Sequence, residues 1–411
     1  MSVTRRPKRS PLNSDQRELR RRRLPEPPQL LGGLTVAQFL HRYWQKQPLL
    51  IRQALPGFRS FLTPEELADL ACKEGINSRL VIEKGGERPW QVKHGPLTRA
   101  DFRKLPRTHW TLLVTDIDKA LSPGADLLEH FSFIPNWRID DLMISYATKH
   151  GSVGPHVDSY DVFLLQAQGQ RRWQISKRRY GSDDLVPNTD LQILADFRPQ
   201  HEWVLVPGDI LYLPPGIAHH GVASEDCMTY SIGFRAPAYH DMLSAFAEHY
   251  ARQLDPELRY TDPDLEPPSH PGEIDLRALR RVREVVRKLP RHAAQVDAWF
   301  GRFITETGPW GAPAPPRRAL TPKQFRERLE KRAALHRSNR CRFAYIRQRA
   351  FCTLFVDGQA FPLDSRLAFA APLLCNRRQL PLEALRMRLR NAAFVELLCD
   401  LYNKGYVSFG R

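Results

Sequence analysis

The sequence predicts a mixed α+β protein built around a jelly-roll barrel, followed by a smaller C-terminal domain. From about residue 140 to 235 the chain consists of short runs rich in β-branched and aromatic residues, separated by Gly and Pro, with no helical periodicity between them. Helical patterns precede this region and return after Pro237. A Pro- and Gly-rich stretch at 308–316 then marks a boundary before the last part of the chain.

The N-terminal segment, residues 1–30, has no apolar periodicity and contains a run of four arginines followed by prolines, which predicts a disordered basic tail. The 411 residues are enough for two or three domains. No apolar run is long enough to span a bilayer, so we expect a cytoplasmic protein without membrane contact. The six cysteines include no Cys-x-x-Cys pair, which indicates neither a zinc ribbon nor a disulfide framework.

The net charge of +17 is concentrated in two segments. Residues 1–30 carry nine basic against three acidic residues, and residues 313–350 carry twelve against two. Such segments suit an anionic partner such as nucleic acid or a ribonucleoprotein particle. The alternative is a solubilising tail together with a solvated helix face.

The elements follow in order. Thr35 and Thr63 each open a helix, the second with Pro at its first position, and a further helix begins near Thr98. Six strands are then predicted, at 142–147, 162–166, 171–176, 203–206, 209–213 and 229–234.

Helices at 242–253 and 276–289 follow the predicted strands, separated by a Pro- and Asp-rich bridge at 255–271. The C-terminal domain begins with a helix capped by Thr321. It continues with β-like stretches at 343–346 and 352–356 and ends with a helix over 382–401. Helices followed by a short hairpin fit a winged-helix arrangement.

Candidate metal ligands stand at His156, Asp158 and the pair His219 and His220. Chance alone gives about 1.5 matches to His-x-Asp/Glu in a chain of this composition, so the motif carries no weight by itself. On an extended segment, however, a spacing of two places His156 and Asp158 on the same face. Because neighbouring residues of a strand alternate in direction, His219 and His220 cannot both face the same ion.

Two imidazoles and one carboxylate are the ligand set of redox-active iron sites that leave positions open for a co-substrate and oxygen. A 2-oxoacid would fill two of these positions, and its far carboxylate needs a fixed cation. Alternation within 171–176 places Arg171 on the face of Trp173 and Ile175, so Arg171 is the inward candidate; the alternative is an exposed arginine on an edge strand. Hydroxyl groups for the same carboxylate are available from Ser145, Thr229 and Ser231.

Five segments together resemble the bacterial JmjC-type ribosomal oxygenases, and the resemblance covers residues from about 34 to 411. These segments are Met143 to Tyr146, Gly154 to Phe163, Gly169 to Trp173, Tyr212 to His219 and Tyr230 to Pro237. Members of that family use Fe(II), 2-oxoglutarate and O2 to hydroxylate an arginine of the sixteenth large-subunit ribosomal protein. The resemblance implies His156, Asp158 and His219 as iron ligands, and Arg171 with Ser145 and Thr229 as the 2-oxoglutarate site.

The resemblance also implies an architecture. An oxygenase domain at 31–250, with a double-stranded β-helix core at about 123–240, precedes a helical dimerisation region at 251–308 and a winged-helix-like domain at 309–411. A homodimer is therefore expected. The basic tail and the Pro-rich bridge depart from the family pattern.

If the target is an arginine, an acid and an aromatic side chain should line its channel, and Tyr160 and Asp161 are the candidates nearest the ligand motif. A turn at the start of a strand is the alternative interpretation of these two residues. The sequence is also compatible with three other functions of the whole protein: a metal-dependent cupin without 2-oxoglutarate, a basic nucleic-acid-binding regulator without oxygenase activity, or a JmjC-type enzyme acting on histones or transfer RNA.

Overall fold

A computed structural model describes residues 27–84, 90–187, 189, 191–263, 274–289, 292–308, 311–348 and 352–410. The chain divides into two compact units, Met1–Arg235 and Ala236–Arg411. Most of the predicted basic tail and part of the Pro-rich bridge lie outside the described residues. Within the described part of the chain, no helix combines the length and the apolar character needed to cross a bilayer.

The first unit begins with short helices and four strands. Thr35 and Thr63 cap their helices as predicted, because each side-chain oxygen accepts a hydrogen bond of 3.2 Å from the amide three residues later. The helices are α1 (Pro27–Leu30), α2 (Val36–Arg42), α3 (Pro64–Ala71), α4 (Arg99–Arg103), α5 (Ile117–Ala120) and α6 (Ser122–Leu128). The strands are β1 (Leu49–Ile51), β2 (Ser78–Glu83), β3 (Trp90–His94) and β4 (Trp110–Val114).

Eight further strands form the predicted barrel. They are β5 (Ile139–Ala147), β6 (His156–Val157), β7 (Asp161–Gln168), β8 (Arg171–Ser176), β9 (His201–Leu205), β10 (Ile210–Leu213), β11 (Ala218–Ala223) and β12 (Cys227–Phe234). One antiparallel sheet has the order β1-β10-β7-β12-β5-β4-β2-β3, and a second has the order β6-β11-β8-β9. The jelly-roll prediction is therefore confirmed. The N-terminal strands, which the sequence did not reveal, widen the larger sheet.

The central strands of the larger sheet, β7 and β12, are buried on both faces. The sheet's outer face packs against the N-terminal helices through an aromatic cluster in which Phe39 and Phe163 lie 5.1 and 4.8 Å from Tyr212, measured between ring centroids. Its inner face packs against the smaller sheet, where Val162 and Leu164 belong to one apolar cluster with Trp173 and other residues of β8 to β10. The functional residues lie between the two sheets.

The second unit contains α7 (Tyr239–Ala251), α8 (Leu276–Arg287), α9 (Ala293–Thr305), α10 (Pro322–Leu329), α11 (Ala370–Cys375), α12 (Leu382–Arg386) and α13 (Ala392–Asn403). Its strands are β13 (Ala334–Arg337), β14 (Phe343–Arg347), β15 (Cys352–Val356), β16 (Gln359–Leu363), β17 (Gln379–Pro381) and β18 (Val407–Phe409). They form two three-stranded sheets, β17-β13-β18 and β14-β15-β16.

Two features of the second unit differ from the prediction. The helix expected over 382–401 is interrupted, because Asn391 caps a new helix by accepting a hydrogen bond of 3.2 Å from the Phe394 amide. Helix α9, which the sequence did not predict, packs on β15: a Cβ atom on Gly301 would lie 2.5 Å from the Phe355 ring. Glycine at this position therefore allows the helix to approach the sheet closely.

Candidate metal and co-substrate site

Antiparallel pairing of β6 with β11 brings the first candidate ligands together. His156 lies directly opposite His219 in the register, and their ring centroids are 4.3 Å apart. Asp158 follows β6 immediately, and the turn before β11 is tied to it because the Gly216 amide donates a hydrogen bond of 2.9 Å to the Asp158 carbonyl. Gly216 has a φ of 81°, a conformation that glycine adopts without strain.

The three side chains fit one metal ion. Their ligand atoms all lie within 4.8 Å of one another. An Asp158 carboxylate oxygen is 4.0 Å from Nε2 of His156, and the other is 3.6 Å from Nε2 of His219. Since bonds from a divalent ion to nitrogen or oxygen are about 2.0–2.2 Å, two ligand atoms on one ion can be up to roughly 4.4 Å apart. Both separations are within that limit.

Backbone carbonyls orient both imidazoles. Nδ1 of His156 lies 2.9 Å from the Gly154 carbonyl oxygen, and Nδ1 of His219 lies 3.0 Å from the Ile217 carbonyl oxygen. A carbonyl accepts only from a protonated Nδ1, so each Nε2 presents its lone pair toward Asp158. Burial, followed by the neighbouring His156, lowers the pKa of His219 to about 4, which keeps this ring neutral and able to ligate at neutral pH.

His220 takes no part in this cluster. It alternates to the other side of β11, where its ring lies 6.0 Å from that of Phe197. Burial lowers its pKa to about 4 as well, so its charge state does not distinguish it from His219. The direction of its side chain does distinguish it, since the structure brings His219 rather than His220 to the other two ligands.

A cavity of about 480 Å³ extends from these three residues between the two sheets. Arg171 on β8 lines it and is only 3 % exposed. The two terminal nitrogens of its guanidinium donate to the Ser145 hydroxyl at 3.3 Å and to the Gly221 carbonyl at 3.1 Å, while Nε has no hydrogen-bond acceptor in the part of the chain that the structure describes. Among the described residues no carboxylate forms an ion pair with it, and burial lowers its pKa.

A buried guanidinium without a counter-ion is costly unless an anion binds to it. Arg171 lies in the same cavity as the candidate metal ligands, so a molecule that reaches both needs a carboxylate at one end and metal-binding oxygens at the other. A 2-oxo dicarboxylic acid has these features. The residues present therefore fit both a metal ion and 2-oxoglutarate.

Ser145 and Thr229 pair directly across β5 and β12, and both line the cavity. The Ser145 hydroxyl also donates to the Thr229 carbonyl at 3.4 Å, and the Thr229 hydroxyl donates to the Gln166 amide oxygen at 3.1 Å. Ser231 lines the cavity two residues further along β12. The structure thus brings the three predicted hydroxyl groups to the cavity that contains Arg171.

Of the two residues proposed for a substrate channel, one lines the cavity and the other does not. Tyr160 lines the cavity and is 39 % exposed. Asp161 is completely buried elsewhere, where it accepts hydrogen bonds from the Tyr212 hydroxyl at 2.6 Å and the Gln45 side chain at 2.9 Å. The structure corrects the assignment of Asp161: its carboxylate holds the N-terminal segment to β10 and does not face the cavity.

Two acids lie close to Tyr160: the candidate ligand Asp158, whose carboxylate interacts with the Tyr160 hydroxyl, and Asp141, which the sequence did not single out. A Cβ atom added at Gly233 would lie 3.1 Å from an Asp141 carboxylate oxygen and 4.0 Å from the Tyr160 ring, so both side chains converge on this glycine. Burial raises the pKa of Asp141 to about 7, an effect that the nearby Lys119 opposes. Asp141 precedes Ser145 by four residues, so on one strand both side chains point to the same face of the sheet. This spacing could have revealed Asp141, but the predicted strand began at residue 142 and left it out.

An antiparallel jelly roll with a His-Asp-His cluster and a buried arginine in one cavity is the arrangement expected of a 2-oxoglutarate-dependent oxygenase, and the JmjC-type enzymes are one class of these. Comparison with family models agrees: a JmjC domain matches residues 126–242, a ROXA-like winged helix matches 288–408, and an AraC-like ligand binding domain matches 195–295, overlapping both.

The relatives are similar over most of the chain. The ribosomal protein uL16 3-hydroxylase of Escherichia coli is 35% identical over 376 residues, which cover 92% of this chain and 98% of that protein. A probable ribosomal oxygenase of Haemophilus influenzae is 35% identical over 66% of this chain and 68% of its own. The chain therefore belongs to the bacterial JmjC-type ribosomal oxygenases.

Solved structures of the Escherichia coli protein YcfD are similar as well. One X-ray structure has a TM-score of 0.79 at 34% identity and covers 92% of this chain and 98% of that chain. Another, in complex with cobalt and 2-oxoglutarate, has a TM-score of 0.77 at 34% identity and covers 92% and 99%. This likeness includes the winged-helix domain, which confirms the fold predicted for the C-terminal part.

Proposed function

We propose that this protein uses Fe(II), 2-oxoglutarate and O2 to hydroxylate an arginine side chain of ribosomal protein uL16, releasing succinate and CO2. The observation that carries the proposal is the buried Arg171, which has no carboxylate partner among the described residues and lies in the same cavity as His156, Asp158 and His219. The name of the Escherichia coli relative, a uL16 3-hydroxylase, supports the substrate.

Each residue has a defined role in this proposal. His156, Asp158 and His219 would hold the iron. When bound, iron together with 2-oxoglutarate activates O2 and supplies the oxidising power that converts a C–H bond into C–OH. The Arg171 guanidinium binds the far carboxylate of 2-oxoglutarate by parallel hydrogen bonds, with the Ser145 and Thr229 hydroxyls beside it. No acid, base or nucleophile of the protein is required, so specificity depends on how the substrate is held.

The target arginine enters between Asp141 and Tyr160. The carboxylate pairs with the positive guanidinium, and the ring provides an apolar wall and a face over which a cation can lie. Both side chains line the cavity that contains the metal ligands, which supports a long cationic side chain as the substrate group.

The test is mass spectrometry of uL16 after incubation with the protein, Fe(II) and 2-oxoglutarate. The expected product has gained one oxygen, and an equal amount of succinate is formed. His219→Ala should abolish both, whereas His220→Ala, which alters the neighbouring imidazole outside the cluster, should retain them. Oxidation of histones or transfer RNA instead of uL16 would assign a different substrate, and equal activity of the two variants would contradict the metal site.

The proposal also includes a homodimer, formed through the helical region at 251–308. In the sequence this region lies between the oxygenase domain at 31–250 and the winged-helix domain at 309–411. On α8 and just beyond it, Val282, Val286 and Leu289 recur at spacings of four and three and are 50 %, 58 % and 36 % exposed. An apolar stripe at this period is typical of a helix that packs against another chain. Light scattering of the purified protein measures whether the dimer exists.

We also propose that the protein acts in the cytoplasm and that its basic winged-helix domain contacts ribosomal RNA. The Leu382 amide donates to the Ala333 carbonyl at 2.9 Å, so the arginine-rich end of α10 and its turn lie beside α12. Exposed basic side chains of these two segments and of the turn that follows α12 are Arg328, Lys331, Arg332, Arg386, Arg388 and Arg390. The other predicted contact, residues 1–30, lies largely outside the described residues. Binding of a ribosomal RNA fragment that weakens steeply with salt would support the contact.

A further inference from the structure

The cavity is lined by a second guanidinium, that of Arg79, to which the function proposed above gives no role. Arg79 lies on β2, opposite Leu113 of β4, which in turn lies opposite Ser145 of β5. Directly paired residues share a face of the sheet, so Arg79 faces the cavity two strands away from Ser145, about 10 Å at the usual strand spacing. Because the Arg171 guanidinium binds the Ser145 hydroxyl, the cavity has one arginine at its 2-oxoglutarate end and one on the side of the N-terminal strands.

The charge of the Arg79 side chain acts on the nearby Tyr160, but no carboxylate pairs with it among the residues that the structure describes. No hydrogen bond or ion pair joins it to them, and its Nε is buried without an acceptor. Burying an N–H group without an acceptor destabilises the folded protein. A group that the fold leaves unsatisfied in a ligand cavity is therefore a candidate for contact with the ligand.

The chemistry of the guanidinium limits what it can bind. It has five N–H donors and no acceptor, so its partner must offer oxygen atoms. The target arginine side chain offers none and carries the same charge. The far carboxylate of 2-oxoglutarate is assigned to Arg171, which is more deeply buried and lies beside Ser145 and Thr229. Whatever its side chains, a polypeptide substrate offers a carbonyl oxygen at every residue of its main chain, so these are the acceptors that are always available beside the target residue.

We propose that Arg79 binds main-chain carbonyl oxygens of the uL16 segment that flanks the oxidised residue and so positions that segment over the metal centre. This inference rests on the proposed function. Arg79 would act as a substrate-positioning residue: Asp141 and Tyr160 recognise the side chain, and Arg79 fixes the backbone that carries it.

The experiment compares Arg79→Met, Arg79→Lys and the control Arg103→Met in the full-length enzyme. Methionine keeps much of the length of arginine and removes every donor. Arg103 is exposed on α4 and does not line the cavity. For each variant, kcat and KM for uL16, KM for 2-oxoglutarate and the melting temperature are measured.

Arg79→Met should raise KM for uL16 about tenfold, the effect of losing a charge-assisted hydrogen bond of about 1.4 kcal/mol, while kcat changes much less. KM for 2-oxoglutarate should stay constant. The melting temperature should stay constant or rise, because an unsatisfied buried donor is removed. Arg79→Lys should recover part of the affinity, since it keeps the charge but not the planar fork. Arg103→Met should match the wild type.

Three results would overturn the inference while leaving the proposed function intact: an unchanged KM for uL16 in Arg79→Met, a KM for 2-oxoglutarate that rises in parallel, or a lowered melting temperature, which would indicate a structural role. A wild-type enzyme that fails to oxidise uL16 would overturn the proposed function and this inference together.

Discussion

Replacing Asp141 by Asn should weaken substrate binding and stabilise the protein at the same time. The pKa of Asp141 is raised from 3.8 to about 7, chiefly by burial, while Lys119 opposes the shift and the nearby Asp118, Asp116 and Asp140 add to it. A shift of this size corresponds to about 4 kcal/mol, an upper limit because the side chain is partly exposed. Losing the ion pair with the substrate guanidinium should cost about 2 kcal/mol, which is a rise in KM of roughly thirtyfold.

The two effects depend on pH in opposite directions. A carboxyl group whose folded pKa lies above its unfolded pKa of 3.8 gives stability at low pH that is lost as the pH rises through about 7. Asp141→Asn cannot ionise, so its melting temperature should exceed that of the wild type by several degrees at pH 8, by less than half as much at pH 5 and by little below pH 4. The wild-type KM for uL16 should fall between pH 6 and pH 8 as the carboxylate forms, whereas that of the variant should stay flat over this range.

Thermal unfolding at several pH values and steady-state hydroxylation of uL16 measure both effects. Asp140→Asn is the matched control, because Asp140 is the neighbouring residue, is exposed and does not line the cavity. A variant Asp141→Asn with wild-type KM would refute its role in binding the substrate arginine. One that melts below the wild type at pH 8 would show that the carboxylate supports the fold.

Three further changes probe other parts of the molecule. Arg171→Met should raise KM for 2-oxoglutarate about a hundredfold, since a two-point charged hydrogen bond is lost, and unchanged kinetics would remove Arg171 from that site. Gly221→Ala should have the same effect more weakly, because its Cβ would lie 2.7 Å from the Trp173 ring and 2.8 Å from Nε of Arg171, and metal binding measured by calorimetry should be unaffected. Val286→Asp should halve the mass measured by light scattering, while Glu284→Ala, on the opposite face of α8, should leave it constant; equal masses for all forms would place the dimer contact elsewhere.

Local signals in the sequence predicted much of the fold and part of the site. Capping residues such as Thr35 and Thr63 mark helix starts within a few positions. Alternation along β8 correctly placed Arg171 inward, because the direction of a side chain depends only on its own strand. The pairing of β6 with β11, which brings His219 to Asp158, involves residues about sixty positions apart, and here the resemblance to a family was needed.

Asp141 and Asp161 show why the rest could not be predicted. Asp161 stands beside the ligand motif in the sequence, yet its partners Gln45 and Tyr212 lie 116 and 51 residues away, and their hydrogen bonds decide which way it points. Asp141 was excluded because the start of β5 was placed three residues too late. The strands of the N-terminal region join the sheet through pairings that no short-range pattern reveals.

Buried charged residues with a structural role differ from those with a functional role in this protein by whether the fold supplies their hydrogen-bond and ion-pair partners. Asp209 is completely buried, and it accepts hydrogen bonds from the Arg52 guanidinium at 2.6 Å and from the Gln53 amide at 2.9 Å, so it needs no ligand. Asp161 is satisfied in the same way. Arg171 and Arg79 face one cavity without a carboxylate partner among the described residues. Since natural proteins leave few buried polar groups unpaired, these two mark where the carboxylate of the co-substrate and the backbone of the substrate are expected to bind.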